Sequence, residues 1–391
     1  MSLFARTDRS LLGQWWWTVD RGMLAVFLAL AVLGVALVAT ASPPVAERIG
    51  LDYYHFLKRH IIILVPTLGM LFGLSFFDHK YIRRLAVLAF TGSVGAMIAV
   101  LMTGMEIKGA QRWIHILGFS LQPSEFIKPA FALLAAWMMA LQKEKEGFHG
   151  NVIAAVLYLI TVTLLLLQPD LGMTVIVTAI WAAQIFLAGF PFRLLAVLVV
   201  MGMVGITAAY FSFDHVQSRI DRYLHPESGD TYQVDKSLEA FQTGGVLGTG
   251  PGQGFVKMDL PDAHADFIFA VAAEEMGLVL VFVILALYSF VLLRGYNRLM
   301  DSKDMFVVLA VGGLLTMFGL QALVHMGSSL HLLPAKGMTL PFISYGGSSL
   351  LSMGFSMGVV LALTRLKSRT GISKGGLSLV ASKTATGKGV A

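Results

Sequence analysis

Ten apolar runs of about 20 residues each, separated by short polar connections, set the pattern of this chain. They cover roughly 22–41, 58–77, 85–104, 123–141, 151–168, 171–189, 192–211, 266–293, 305–326 and 341–364. A helix rises about 1.5 Å per residue, so a run of this length crosses a hydrocarbon core of roughly 30 Å. The pattern predicts an all-α polytopic membrane protein of about ten transmembrane helices. The polar segment 212–265, between the seventh and eighth spans, is predicted to be one large extracytoplasmic loop. Within it, 234–241 is expected to form a short amphipathic helix lying on the membrane. The helical domain is expected over 1–365. The basic tail 366–391, mostly Gly, Ser, Thr and Lys, has little to bury and is expected to be disordered.

Composition removes the alternative of two or three soluble domains for 391 residues. Hydrophobic residues make up 56% of the chain and charged residues 13%, against about a quarter charged in soluble domains. Charge then sets the orientation. Most of the 29 Lys and Arg residues fall in the tails and in alternate connections, among them Lys80, Arg83, Arg84, Lys143, Lys145, Arg294, Arg298 and Lys303. By the positive-inside bias both termini are cytoplasmic, with Lys58 and Arg59 going against it. Trp15, Trp16 and Trp17 fit an interfacial belt ahead of the first span. That span ends in Ala39-Thr40-Ala41, which mimics a signal-peptidase site, but the run is too long for a signal peptide and is expected to stay uncleaved. The absence of cysteine excludes disulfides, thiolate metal sites and a Cys nucleophile. No internal repeat is visible.

Ionisable residues at membrane depth are expensive, so each is either paired for structure or lines a site. Glu125 and Lys128 lie three apart in the first turns after Pro123, where they share a face. They either pair with each other or face a polar cavity, with Arg112 above them to take an anionic group. Asp170, in Gln168-Pro169-Asp170-Leu171-Gly172, reads first as a helix N-cap, which is compatible with a place in a site. Gly248, Gly250, Gly252 and Gly254 lack the Lys-Ser/Thr ending of a phosphate loop and read as a flexible turn at the membrane surface. Gly354 and Gly358 read as a close helix contact, and Lys336 stands beside the small residues that open the last span. The segment 244–275 concentrates the rest. If Pro261 begins a helix, Asp262 caps it and Asp266 follows one turn later, just before Phe267-Ile268-Phe269. A carboxylate there is partly desolvated, which strengthens it as a base, while the nearby helix N-terminus pulls its pKa the other way. A metal on Asp262, His264 and Asp266 matches no standard spacing.

Together these segments resemble the SEDS (shape, elongation, division and sporulation) family over nearly the whole chain. The resemblance rests on Arg112-Trp113, QPSEFIK at 122–128 and QPDLG at 168–172. It continues through RIDRYLHPESGDTYQVDKSLEAF at 219–241, GGVLGTGPGQG at 244–254, LPDAHADFIFAVAAEE at 260–275 and LPAKGMTLPFISYGGSS at 333–349. The stretches PESGDTYQVDKSLEAF at 226–241 and AKGMTLPFISYGGSS at 335–349 look more like the division branch than the elongation branch. Two departures stand out: Ala265 replaces a common threonine, and His325 to His331 replaces a stretch usually holding asparagines.

The resemblance implies a peptidoglycan glycosyltransferase of the bacterial inner membrane. Its substrate would be lipid II, a disaccharide-pentapeptide on undecaprenyl diphosphate. It also implies a class B penicillin-binding protein as partner, with other division proteins and membrane lipids but no nucleic acid. Asp266 is the implied catalytic base, and Arg112, Glu125, Lys128, Asp170 and Lys336 are the substrate-binding candidates. No cofactor is evident, and a divalent cation (Mg or Mn) is an allowed helper. A lipid II flippase, an elongation-type polymerase and a scaffold remain the competing expectations.

Overall fold

A computed structural model describes residues 10–103, 112–116, 118–212, 217, 221, 232–334 and 337–366. Among these, the helices are α1 (Leu11–Thr18), α2 (Arg21–Arg48), α3 (His55–Ser75), α4 (His79–Thr103), α5 (Pro123–Glu144), α6 (Gly150–Leu167), α7 (Leu171–Leu187) and α8 (Phe192–Ser212). After the polar segment come α9 (Tyr232–Gly244), α10 (Val256–Asp259), α11 (Ile268–Met300), α12 (Met305–Ser329) and α13 (Gly347–Leu363). A two-stranded antiparallel hairpin, β1 (Ile114–Ile116) and β2 (Phe119–Leu121), pairs Ile114 with Leu121 and precedes α5. An apolar helix stands at each expected span. Seven of the described helices are long and apolar enough to cross a membrane, and α7 and α13 are shorter apolar helices. The expected loop 212–265 is described mainly from Tyr232 on, and the tail 367–391 and Lys336 lie outside the described residues.

The bundle has a buried interior and a lipid-facing shell. Helices α5 and α12 are mostly buried, whereas α3, α4, α6 and α11 turn most of their length outward. Helix α13 is buried from Ser348 to Leu363 on nearly every face. A helix apolar all round belongs in such an interior. Gly354 and Gly358 let it approach α3: a Cβ on Gly354 would stand 2.5 Å from the Thr67 carbonyl oxygen, and one on Gly358 2.8 Å from that of Met70. The expected GxxxG contact is therefore present.

Four local expectations are corrected. The last span is helical only from Gly347, and 337–346 is irregular although Met338, Leu340, Phe342, Ile343 and Ser344 are buried. Helix α11 begins at Ile268 rather than Pro261. Phe267, not Asp262, stands at its N-cap position, because 261–267 turns before the helix starts and Asp262 itself has φ +51°. Helix α9 does not simply lie on the membrane. Ser237 Oγ donates to the Ser329 carbonyl at 2.7 Å, and Phe241 meets Phe269 edge to face at 5.6 Å.

The glycine series, finally, is a packed loop rather than a flexible turn. It closes on α11 through Thr249 N to Glu274 O and Gly250 N to Glu275 O, both 2.9 Å. At the same place α11 breaks at Gly277 (φ +67°, ψ −170°), where a Cβ would lie 2.3 Å from the Val246 carbonyl oxygen. Glu274 accepts from the amides of Val256 and Lys257 at 2.7 and 3.0 Å, and Glu275 pairs with the Lys257 ammonium. The two buried glutamates thus hold α10 and the loop against α11.

Candidate active site

The irregular segment 337–346 and the first turn of α13 are where the polar residues of the bundle meet. The segment's glycine at 337 lets the Asp266 carboxylate come close: a Cβ there would lie 3.3 Å from Asp266 Oδ2. Asp266 is half-buried, and its amide donates to the Asp262 carbonyl at 3.0 Å. The turn carrying it is laced to the same segment. Ser344 Oγ donates to the Ala265 carbonyl at 2.8 Å, and Tyr345 N donates to the His264 carbonyl at 3.0 Å. The His264 ring packs against Phe56 and Tyr345, with centroids 4.1 and 5.1 Å away. Burial among these rings pushes its pKa down to about 4, and Asp262 offsets only part of that.

Helix α5 reaches the segment from the other side. Lys128, fully buried, makes an ion pair with Glu125 at 2.8 Å and donates to Gln321 Oε1 at 3.0 Å. Gln321 Nε2 donates onward to Ser349 Oγ at 3.1 Å and to the Thr339 carbonyl at 3.2 Å. Of the two arrangements open to Glu125 and Lys128, the pair is the one found. A lysine without solvent access acts on the segment through Gln321.

Arg112 and Asp170 form the third approach. Asp170 N-caps α7, accepting from Met173 N at 3.3 Å, and lies 3.7 Å from Arg112 Nη1. Arg112 also donates to the carbonyls of Gln168 (2.8 Å) and Pro169. Gln122 connects this pair to the hub: its amide N donates to Ser348 Oγ at 2.8 Å, and its Nε2 lies 3.5 Å from Asp170 Oδ2. Arg112 is partly exposed, so this cation is able to meet a ligand while Lys128 is not.

Asp266 meets the irregular segment directly, Lys128 and its partner Glu125 reach it through Gln321, and Arg112 and Asp170 connect through Gln122 to Ser348 in the first turn of α13. Lys336, the residue before Gly337, lies outside the described residues. Among the described residues no three His, Asp or Glu side chains gather as metal ligands, and His264 turns into aromatic rings instead. Sequence reasoning gave no role to Gln321, His325 or Tyr288. Each is a polar group inside an apolar run, a signal that was present. His325 Nδ1 donates to the Met338 carbonyl at 2.7 Å, and Tyr288 donates its hydroxyl to the Pro341 carbonyl at 2.5 Å.

These features define a multi-pass, all-α membrane protein with a half-buried carboxylate against a buried irregular segment, and a partly exposed guanidinium linked to the helix that follows it through Asp170, Gln122 and Ser348. The cell cycle protein family model named for FtsW, RodA and SpoVE matches residues 20–369, and the chain belongs to that family. It is 44% identical over 363 residues to the probable peptidoglycan glycosyltransferase FtsW of Caulobacter vibrioides, covering 93% of each chain. Among solved structures, one described as a peptidoglycan synthase complex coordinating polymerization and crosslinking aligns with TM-score 0.73. It is 29% identical and covers 88% of this chain and 97% of that one. The rod shape determining protein RodA of Thermus thermophilus aligns with TM-score 0.66 at 27% identity, covering 89% of this chain and 97% of its own.

Proposed function

We propose that this chain is a peptidoglycan glycosyltransferase that polymerises lipid II for the septal wall. The observation that carries the reading is Asp266, a half-buried carboxylate held against Gly337 just ahead of α13, the helix to which Asp170, Gln122 and Ser348 connect Arg112. The donor sugar is α-linked to diphosphate and the product is β-linked, so one displacement with inversion suffices. The acceptor 4-hydroxyl oxygen attacks C1 while Asp266 takes its proton. The bond from C1 to the diphosphate oxygen breaks, and the diphosphate leaves with the electron pair. One base meets the proton requirement, and positive charge must neutralise the leaving group. Arg112 supplies that charge, with Lys336 as a further candidate. A divalent cation carried by the diphosphate would add to it. The buried Glu125–Lys128 pair positions the segment.

Names given to relatives support the division role over elongation. The likeness to a synthase complex supports a class B penicillin-binding protein as partner. The distribution of Lys and Arg supports an inner-membrane location with both termini cytoplasmic.

The test supplies purified protein and its partner with lipid II and resolves glycan chains on a gel. Wild type is expected to make chains, and an Asp266→Ala variant of equal abundance none. Equal chains from both would remove Asp266 as the base. No chains from wild type, with lipid II crossing vesicle membranes instead, would favour the flippase.

A further inference from the structure

A cavity of about 410 Å³ opens at the other end of the bundle, lined by His79, Lys80, Arg83, Arg84 and Trp137. Its place follows from the helices. It sits at the start of α4, beside the start of α12, whereas Asp266 sits just before α11, a helix that runs away from it to Met300. The size falls in the roughly 300–1,000 Å³ range of ligand sites. Three cations in its wall have no internal anion. Lys80, Arg83 and Arg84 form no ion pair among the described residues, and the nearby carboxylates face other cations. Asp78 lies 3.5 Å from Arg365, and Asp304 caps α12 and lies 3.3 Å from His79. Arg83 is held over the rings of Phe306 (4.5 Å) and Trp137 (5.9 Å), and its Nε is buried without an acceptor. Lys80 also stands in the first turn of α4, where the helix dipole favours an anion.

We propose that this cavity holds the phosphodiester headgroup of an anionic phospholipid. A lipid suits it better than a soluble anion because the cavity continues onto an outward apolar face. Tyr81 and Leu88 are exposed on α4, one turn to either side of Arg84, and Gly92 and Gly95 beyond them meet nothing within 4 Å of a Cβ. A headgroup phosphate at Arg83 and Arg84 thus leaves its acyl chains lying along α4, with Trp137 at the interface. Basic pockets between spans are a recognised setting for such headgroups. The site is independent of the chemistry at Asp266.

The test incorporates the full-length protein into nanodiscs of phosphatidylethanolamine with increasing phosphatidylglycerol and counts co-purifying lipids by native mass spectrometry. Wild type is expected to retain phosphatidylglycerol selectively. A Lys80→Ala/Arg84→Ala variant is expected to lose that retention on the order of thirtyfold, at about one kcal/mol per cation. Lys145→Ala, an exposed cation outside the cavity wall, is expected to keep it. If the double variant elutes as aggregate, Arg84→Gln alone is used, with about a fivefold loss expected. Retention unchanged in the variants would overturn the proposal. So would displacement of the lipid by millimolar inorganic phosphate, which would assign the cavity to a soluble anion.

Discussion

The buried pair on α5 offers the sharpest test of how the site is held. In Lys128→Met, Glu125 is left without its counter-charge in a place almost without solvent, and Gln321 Oε1 loses its donor. Breaking one side of a buried ion pair costs about 3–5 kcal/mol. The donor lost by Gln321 adds roughly 1–3 kcal/mol. In Glu125→Met/Lys128→Met no charge is stranded, so only the Gln321 penalty of about 1–3 kcal/mol should remain. The double variant is therefore expected to be more stable than the single one. Thermal unfolding of the detergent-purified proteins reads this order, and a gel assay with lipid II reads activity at equal abundance. Chain synthesis should recover in part along with stability, because the pair acts through Gln321 and Thr339 rather than on substrate. A double variant no more stable than Lys128→Met would refute the coupling. A double variant of full stability that makes no chains would show that a charge of the pair itself meets the substrate.

Two further perturbations read other parts of the structure. Gly277→Ala is expected to abolish accumulation of folded protein, since its φ of +67° and the Val246 carbonyl 2.3 Å from the new Cβ both oppose it. Gly73→Ala, which meets nothing within 4 Å, is expected to be tolerated, and immunoblots of membrane fractions compare the two. For His264, burial lowers the folded pKa from 6.5 to about 4, so between those values the unfolded chain binds more protons. Stability from this group is present above pH 6.5 and lost as pH falls through about 4, amounting to roughly 3 kcal/mol. His264→Phe should flatten that part of a plot of melting temperature against pH; an unchanged slope would assign it elsewhere.

The helices were legible because lipid demands long apolar runs. Their ends were less so: α2 continues to Arg48 through Pro43 and Pro44, and the run at 341–364 hides an irregular entry before Gly347. Asp266, Arg112 and Asp170 could be singled out because charge is costly at membrane depth. What joins them could not be. Gln122 meets Ser348 across 226 residues, Lys128 meets Gln321 across 193, and Asp20 meets Arg294 across 274. No local pattern encodes which side chain closes such a distance. The glycine loop failed for the same reason, since its rigidity comes from α11 and not from its own residues.

Irregular backbone inside a bundle survives only where its polar groups find partners in protein. The segment before α13 shows how this chain arranges it. The Met338 carbonyl takes His325, the Thr339 carbonyl takes Gln321, the Pro341 carbonyl takes Tyr288, and the Leu340 amide takes Ser344 Oγ. Those partners come from α11, α12 and the segment itself, so its shape is set by the helix that follows Asp266 and by the next one along the chain. His325, a departure at the level of sequence, is thus one of the groups that make the irregular path possible. Gln321 serves both the segment and Lys128, so the α5 ion pair and the backbone beside Asp266 share one amide. On the proposed mechanism, a carboxylate that takes a proton from a bound sugar needs such support from beneath, because a free loop would lose the orientation on which proton transfer depends.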